Sequence, residues 1–292
     1  MPKLLNSAIN AWIGRRARPS LASIAAVGSL KPAVVVTGGS RGIGVALARE
    51  FARSGKPVAL VARDLSGLEA AAGAIQHDYA VTVLAIDLDI RDPGAAANIE
   101  TRLKQAGFYA DIIVNNAGIG LSGSFEDATG SEVESLVALN ISALTRLMHH
   151  ALPAMRGRGR GGVLNIASLG GYGAGPYQAL YYASKAYVIS LTEAVGGEMA
   201  GSGVRISVVA PGPVATGFHA AMGAENARYR SLIPSHSPEF VARSAVRGFN
   251  LGRRVIVPGL FNTAAAYALR VIPRFITVPV FAWLLDPRRP KG

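Results

Sequence analysis

The chain has 292 residues, of which half are apolar, 16% are charged and none is cysteine. That supplies apolar mass for a large core and excludes disulfides and thiolate metal sites, so a cytoplasmic, reducing setting is expected. The net charge of +12 sits at the ends. Residues 1–31 hold five bases and no acid, residues 242–292 hold nine bases and one acid, and the stretch between is near neutral. No basic stripe crosses the body, and no nucleic-acid partner is expected. Basic, apolar ends suit either peripheral contact with an anionic membrane or a solvated surface that aids solubility.

Residues 1–30, with Arg15, Arg16 and Arg18, read as a basic, partly helical arm that is retained, because the stretch lacks the apolar core and cleavage site of a secretory signal. From Lys31 to Gly259 short apolar runs alternate with helical stretches. Strands are expected at Ala33–Thr37, Val58–Ala62, Val81–Ile86, Ile112–Asn115, Val163–Ala167, Val204–Val209 and Val255–Val257. Helices are expected around 43–54, 66–76, 94–106, 131–155, 177–200 and 239–250. The fold class is α/β: one doubly wound domain, a seven-stranded parallel sheet with helices on both faces. Arg156-Gly-Arg-Gly-Arg-Gly-Gly162 reads as a flexible loop entering the fifth strand. The uncharged run Ile206–Ala224 contains Pro211, Gly212, Pro213 and Gly217, so it reads as a strand running into a loop and not as a membrane span. Residues 260–292 form an extension in which apolar and aromatic residues, Arg270, Arg274, Pro273 and Pro279 suggest two short amphipathic helices. These pack on the body, form a subunit interface or lie on a membrane.

The first strand ends in Thr37-Gly-Gly-Ser-Arg-Gly-Ile-Gly44, and a helix follows at once. Glycines at 38, 42 and 44 allow a tight reversal and let the backbone approach a pyrophosphate, whose charge the helix N-terminus receives. Farther on, Tyr181-Tyr182-Ala183-Ser184-Lys185 opens a long apolar helix. Tyr181 and Lys185, at i and i+4, share a face, while Tyr182 points elsewhere. An ammonium beside a phenol stabilises phenolate and lowers its pKa. Ser168 stands at the end of the fifth strand, where α/β enzymes place chemistry, and its hydroxyl suits a substrate oxygen.

With these motifs the chain resembles the short-chain dehydrogenase/reductase family over about Lys31–Gly259: a T-G-x-x-x-G-x-G turn, Asn115-Asn116-Ala117-Gly118, Ser168 thirteen residues before Tyr181, Lys185, and Pro211-Gly212-Pro213-Val214-Ala215-Thr216. The resemblance implies a nicotinamide cofactor bound by Gly38, Ser40, Arg41, Gly42, Ile43 and Gly44, with Asp87 and Leu88 at the adenine edge. It places Asn115, Ala117 and Gly118 beside the cofactor, with Asn115 tying neighbouring strands. Tyr181 and Lys185 are expected to hold the nicotinamide ribose, and Pro211, Gly212, Val214 and Thr216 to lie near the nicotinamide. It further implies Ser168, Tyr181 and Lys185 as catalytic residues, with Asn140 supporting a proton-relay water. A homodimer or homotetramer through the helices at 131–155 and 177–200 follows from the same likeness.

Charge selects the cofactor. The second strand, Val58–Ala62, ends without the acid that would bind a ribose 2′-hydroxyl, and Arg63 follows. With Arg41 in the glycine turn, two guanidiniums favour a 2′-phosphate and hence NADP(H). The expected reaction interconverts a carbonyl and a secondary alcohol. Pocket walls are expected from Leu169–Tyr177 and from 218–238, where Phe218, Met222, Leu232 and Ile233 suggest a lipophilic small-molecule substrate. No metal-ligand cluster is found, and the five histidines read as helix-surface residues. The alternative is a catalytically silent NADP(H)-binding protein or membrane-surface adaptor on the same fold. Loss of catalysis should show as damage to Ser168, Tyr181 or Lys185, and all three are present.

Overall fold

Val34, Val35 and Val36 project alternately to opposite sides of one strand, and all three are buried. A strand apolar on both faces belongs in the middle of a sheet covered by helices on both sides. The computed structural model, which describes residues 19–287, shows that arrangement. In chain order it contains α1 (Leu21–Ala25), β1 (Lys31–Thr37), α2 (Gly42–Arg53), β2 (Val58–Ala62), α3 (Leu65–Tyr79), β3 (Val83–Asp87), α4 (Ala95–Gln105) and β4 (Phe108–Asn115). These are followed by α5 (Gly130–Val137), a π-helical segment (Ala138–Ala143), α6 (Leu144–Arg158), β5 (Gly161–Ile166), α7 (Ala179–Glu198) and β6 (Val204–Val209). The chain continues through α8 (Phe218–Ala221), α9 (Tyr229–Leu232), α10 (Pro238–Asn250), β7 (Val255–Ile256), α11 (Leu260–Val271) and α12 (Arg274–Leu285).

The seven strands form one parallel sheet in the order β3-β2-β1-β4-β5-β6-β7. Val34, Val36, Leu60, Val114 and Leu164 pack with Leu47 and Phe51 of α2 and Phe249 of α10 on one face. Val35, Val61, Ile113, Val163 and Val208 pack with Leu103 of α4, Leu147 of α6 and Val188 of α7 on the other. The strand order reverses between β1 and β4, and there the carboxyl ends of the strands open a cleft.

Three local expectations change. The helix expected over 131–155 is α5, the π segment and α6 in succession. The arginine–glycine stretch at 156–162 is ordered: α6 runs to Arg158, Gly159 caps it at φ 64°, and β5 begins at Gly161. Arg158 lies 4.7 Å over the Tyr109 ring and donates to the Ala110 carbonyl, while Arg160 pairs with Asp111 at 3.1 Å. These partners come from β4, far away in sequence, which is why composition alone suggested a loose loop. Pro279 lies inside α12 without ending it.

Of the N-terminal arm, Arg15, Arg16 and Arg18 fall outside the described residues. The part from Pro19 lies on α6: the Ser20 N–H donates to the Gly157 carbonyl at 2.7 Å, and Ser23 and Pro19 sit over Gly157 and Gly159. In the extension, α11 buries Ala266 against the main core. Phe281, Leu284 and Leu285 of α12 join Met222, Ala224, Ala227 and Tyr229 in a small separate core beside the cleft. No helix among the described residues is long and apolar enough to cross a membrane.

Candidate active site

The glycine turn closes the cleft at its β1 end. Gly38 and Gly42 have φ of 65° and 58°, a region L side chains rarely adopt. A Cβ on Gly44 would overlap the Gly38 carbonyl, so only glycine lets α2 start this close to β1. The Arg41 side chain, at the N-cap of α2, accepts nothing from the first-turn N–H groups. The helix start, with Gly42 and Ile43 in the cleft wall, therefore has no side-chain cap, which suits a phosphate. Thr37 locks the turn to the next strand: its hydroxyl donates to the Val114 carbonyl and accepts from the N–H groups of Asn116 at 3.0 Å and Ala117 at 3.1 Å.

The cleft encloses about 920 Å3 and runs from this turn to the C-terminal helices. Gly38, Ser40, Arg41, Gly42, Ile43, Arg63, Leu88, Ala117 and Gly118 line it, as do Ser168, Tyr181, Lys185, Pro211, Gly212, Val214 and Thr216. Gly44 and Asn115 stand behind this wall. Asn115 is buried and donates to Asn165 Oδ1 at 2.8 Å, tying β4 to β5. Asp87 is not in the wall: it ends β3 exposed, and Asp89, two residues on, faces the cleft instead. The reason is strand length, because β3 extends through Asp87 in register with Ala62 before the chain turns inward.

Asp89 binds Arg91 through paired contacts of 2.6 to 3.0 Å and lies 3.8 Å from Arg63, and these cations hold its carboxyl below the usual range. Asp64, directly after Arg63, also lines the cleft. It caps α3 by accepting from the Gly67 N–H at 3.1 Å and the Ser66 hydroxyl at 2.9 Å, which lowers its pKa. Three arginines thus surround two carboxylates that already have partners.

At the other end, Tyr181 and Lys185 do share a face of α7. Lys185 is buried, its Nζ donates to the Ile166 carbonyl at 2.9 Å and lies 5.7 Å from the centre of the Tyr181 ring. Burial pulls the ammonium down to about 8. Burial also dominates the phenol: Tyr181 is pushed up to about 12, partly offset by the hydrogen bond from Ser168. The lowering expected from the neighbouring ammonium is therefore absent in the chain by itself, and Tyr181 is a protonated phenol at neutral pH. The Ser168 hydroxyl accepts from the Gly170 N–H at 3.1 Å, which fixes the oxygen at the end of β5.

Asn140 lies in the π segment and is buried. Its amide clamps Ile119 in both directions, accepting from the N–H at 2.9 Å and donating to the carbonyl at 2.8 Å, and its Nδ2 also reaches the Ser184 hydroxyl. The side chain is fully engaged in fixing the Gly118–Ile119 loop against α7. A Cβ on Gly118 would lie 3.2 Å from Asn140 Oδ1, tight enough to press on that clamp, and 3.5 Å from Lys185 Nζ, at ordinary contact.

The pocket beyond Tyr181 is mostly apolar, with Phe218, Met222 and Ile233 in its wall. Leu232 is not in it, being 56% exposed on α9. Tyr182 does not point away: its ring packs over Gly170 and Gly175 and against Phe281 at 5.9 Å. His219 is not a surface residue either. It lines the pocket with Nδ1 2.8 Å from the Tyr229 hydroxyl, and burial lowers its pKa to about 4, so it is neutral. The buried Gln178 Nε2 has no hydrogen-bond partner. Phe261, Ala265, Leu269, Phe281 and Leu284 of the extension complete the far wall. Sequence reading missed these residues because they meet the site only through tertiary packing.

The short chain dehydrogenase family model matches residues 32–227. The chain belongs to that family. Short-chain dehydrogenases are oxidoreductases that act on carbonyl and alcohol carbons of small molecules with nicotinamide cofactors. Over 181 residues the chain is 36% identical to the ketoacyl reductase HetN of Nostoc sp., a match covering 62% of this chain and 63% of that protein. The short-chain dehydrogenase from Sphingobium yanoikuyae in complex with NADPH superposes with a TM-score of 0.72 at 31% identity, covering 83% of this chain and 96% of that one. The bulky-bulky ketone specific alcohol dehydrogenase from Comamonas testosteroni gives 0.68 at 27% identity, covering 84% and 96%.

Proposed function

We propose that this short-chain dehydrogenase is an NADP(H)-dependent reductase of lipophilic ketones, in which Tyr181 transfers the proton. The observation that carries this reading is the convergence of Ser168, Tyr181 and Lys185 on one cleft with the glycine turn. The cleft fits a dinucleotide at the turn, where positive φ, the uncapped first turn of α2, Arg41 and Arg63 favour phosphate. Asp64 carries the opposite charge but is held by Gly67 and Ser66, and Asp89 takes up Arg91, whose guanidinium also binds Ser135. The S. yanoikuyae relative was solved with NADPH, which agrees with that preference.

A nicotinamide held beside Pro211, Gly212, Val214 and Thr216 would supply the hydride. The protein's residues manage the oxygen and its proton. The Ser168 hydroxyl and the Tyr181 phenol line the same part of the cleft and present two groups to one carbonyl oxygen. Because burial keeps Tyr181 protonated, the chain is poised to donate as negative charge develops on that oxygen. Lys185, the nearest cation, stabilises the phenolate that remains. Asn140 is a positioning residue that fixes the Gly118–Ile119 loop. Substrate size follows from Phe218, Met222, Phe281 and Leu284, while Gln178, Tyr229 and His219 offer hydrogen bonds to a second polar atom on the substrate. The groove between α6 and α7, with Met148, Leu152, Leu191 and Val195, is the surface for pairing with a second copy.

The test is oxidation of NADPH, against NADH, with a panel of ketones from small and polar to bulky and aromatic, Tyr181→Phe serving as the blank. Bulky ketones and NADPH are expected to give the highest kcat/KM. Turnover confined to small polar sugars or acids overturns the substrate class, and equal use of NADH overturns the cofactor preference.

A further inference from the structure

The extension turns one face of each helix inward and leaves an apolar face outside. On α11 the outer residues include Leu260, Tyr267 and Val271, and on α12 they include Phe275, Val280 and Trp283. Leu260, Val271 and Phe275 are 92%, 79% and 78% exposed. Scattered apolar residues on a surface need no explanation, whereas a contiguous set on two successive helices marks a surface that meets something.

The charges around this face are nearly all positive. Arg274 is exposed and has no ion pair among the described residues. Arg270 stacks 4.8 Å over Tyr172 and lies 3.8 Å from Glu193, and Arg228 stacks 5.3 Å from the Trp283 ring. Between Leu260 and Pro287 the only carboxylate is Asp286, 3.9 Å from Arg228, and the sequence continues with Arg288, Arg289 and Lys291. A second copy docked by two-fold symmetry would lay this net-positive face on an identical net-positive face. An anionic lipid surface has the complementary charge and accepts apolar side chains just below it.

We infer that α11 and α12 dock this protein in the plane of an anionic membrane surface, with Phe275, Val280 and Trp283 entering the lipid and Arg228, Arg270 and Arg274 lying at the headgroups. Twelve-residue helices are too short to span but suffice to lie flat. Phe261 belongs both to the outer face and to the wall of the cleft, so the docked face continues into the pocket mouth. A lipophilic ketone thereby reaches Tyr181 from the bilayer. That consequence rests on the reductase reading, whereas docking itself does not.

The test is co-sedimentation of the full chain with vesicles of phosphatidylcholine alone or doped with phosphatidylglycerol. NADPH turnover of a water-soluble ketone, measured on the same samples, reports separately on the reductase reading. The chain has two tryptophans, so Trp12→Phe leaves Trp283 as the single tryptophan, excited selectively over the tyrosines. The docked protein sediments with the doped vesicles, leaves them as salt rises, and shifts Trp283 emission to the blue. Phe275→Asp with Val280→Asp, both at exposed positions outside the cleft wall, lowers partitioning about tenfold or more and leaves soluble turnover unchanged. Three results overturn the inference: no sedimentation with doped vesicles, sedimentation undiminished by the paired substitution, or a dimer that the same substitution dissolves.

Discussion

The sheet side of the cleft and its helical far side are held together differently. On the sheet side the Thr37 hydroxyl bonds to Val114, Asn116 and Ala117, Asn115 is tied to Asn165, and the glycine turn tolerates no added carbon at Gly44. The far side rests on a core of five buried residues, Met222, Ala224, Ala227, Tyr229 and Leu285, flanked by rings in edge contact. The glycine turn and Lys185 are fixed by hydrogen bonds to the strands, while the Tyr181 ring stands at the boundary and packs on the far-side core, 5.5 Å from Phe218. Groups that contact the rest of a substrate sit where few contacts need to change for the pocket to change.

Four variants break or sharpen that contrast. Tyr181→Phe should lower kcat by about a hundredfold to ten-thousandfold while NADPH affinity and the unfolding midpoint stay in place, as stopped-flow turnover and denaturant titration will show. Lys185→Met should abolish the reaction and also change how stability depends on pH. The folded pKa of about 8 lies below the ordinary 10.5. Between these values the unfolded chain holds a proton that the folded chain has lost, so this group makes the wild type more stable as pH rises through that window. Urea midpoints from pH 8 to 10.5 should show the wild type gaining up to about 3 kcal/mol relative to the variant. Arg63→Ala combined with Arg41→Ala should weaken NADPH binding about tenfold to a hundredfold and leave NADH within a few-fold, by fluorescence titration. Phe281→Ala should act only on the far side, raising KM for a bulky aromatic ketone about tenfold with little change for acetone. If it instead lowers NADPH affinity, the two sides are coupled and the contrast fails.

The sheet side was legible in the sequence and the far side only in part: Phe218, Met222 and Ile233 were expected in the pocket and line it, whereas Phe281 and Leu284 of the extension and His219 were not. A glycine turn between strand and helix, or a tyrosine and a lysine one helical turn apart, is a local pattern whose geometry follows from a few residues. Asp87 shows the limit even there. Two aspartates alternate along one run, and which faces the cleft depends on where β3 ends, set by its pairing with β2. His219 and Phe281 carry no local signal. Each reaches the pocket because a helix packs back on the body from far along the chain, and a helical pattern does not say which neighbour it meets.

The π segment at 138–143 has a consequence for how this site tolerates change. A π turn holds one residue more than an α turn, so removing any one residue there would let α5 and α6 merge into a single regular helix. The shortened chain would gain ordinary hydrogen bonding and keep α5 and α6 in nearly the same rotational relation, because about five α residues turn as far as six π residues. What would be lost is local: Asn140 sits inside the bulge, and its two-way clamp on Ile119 depends on the backbone there. The extra residue is therefore a device for presenting one buried amide, inserted without disturbing the helices on either side.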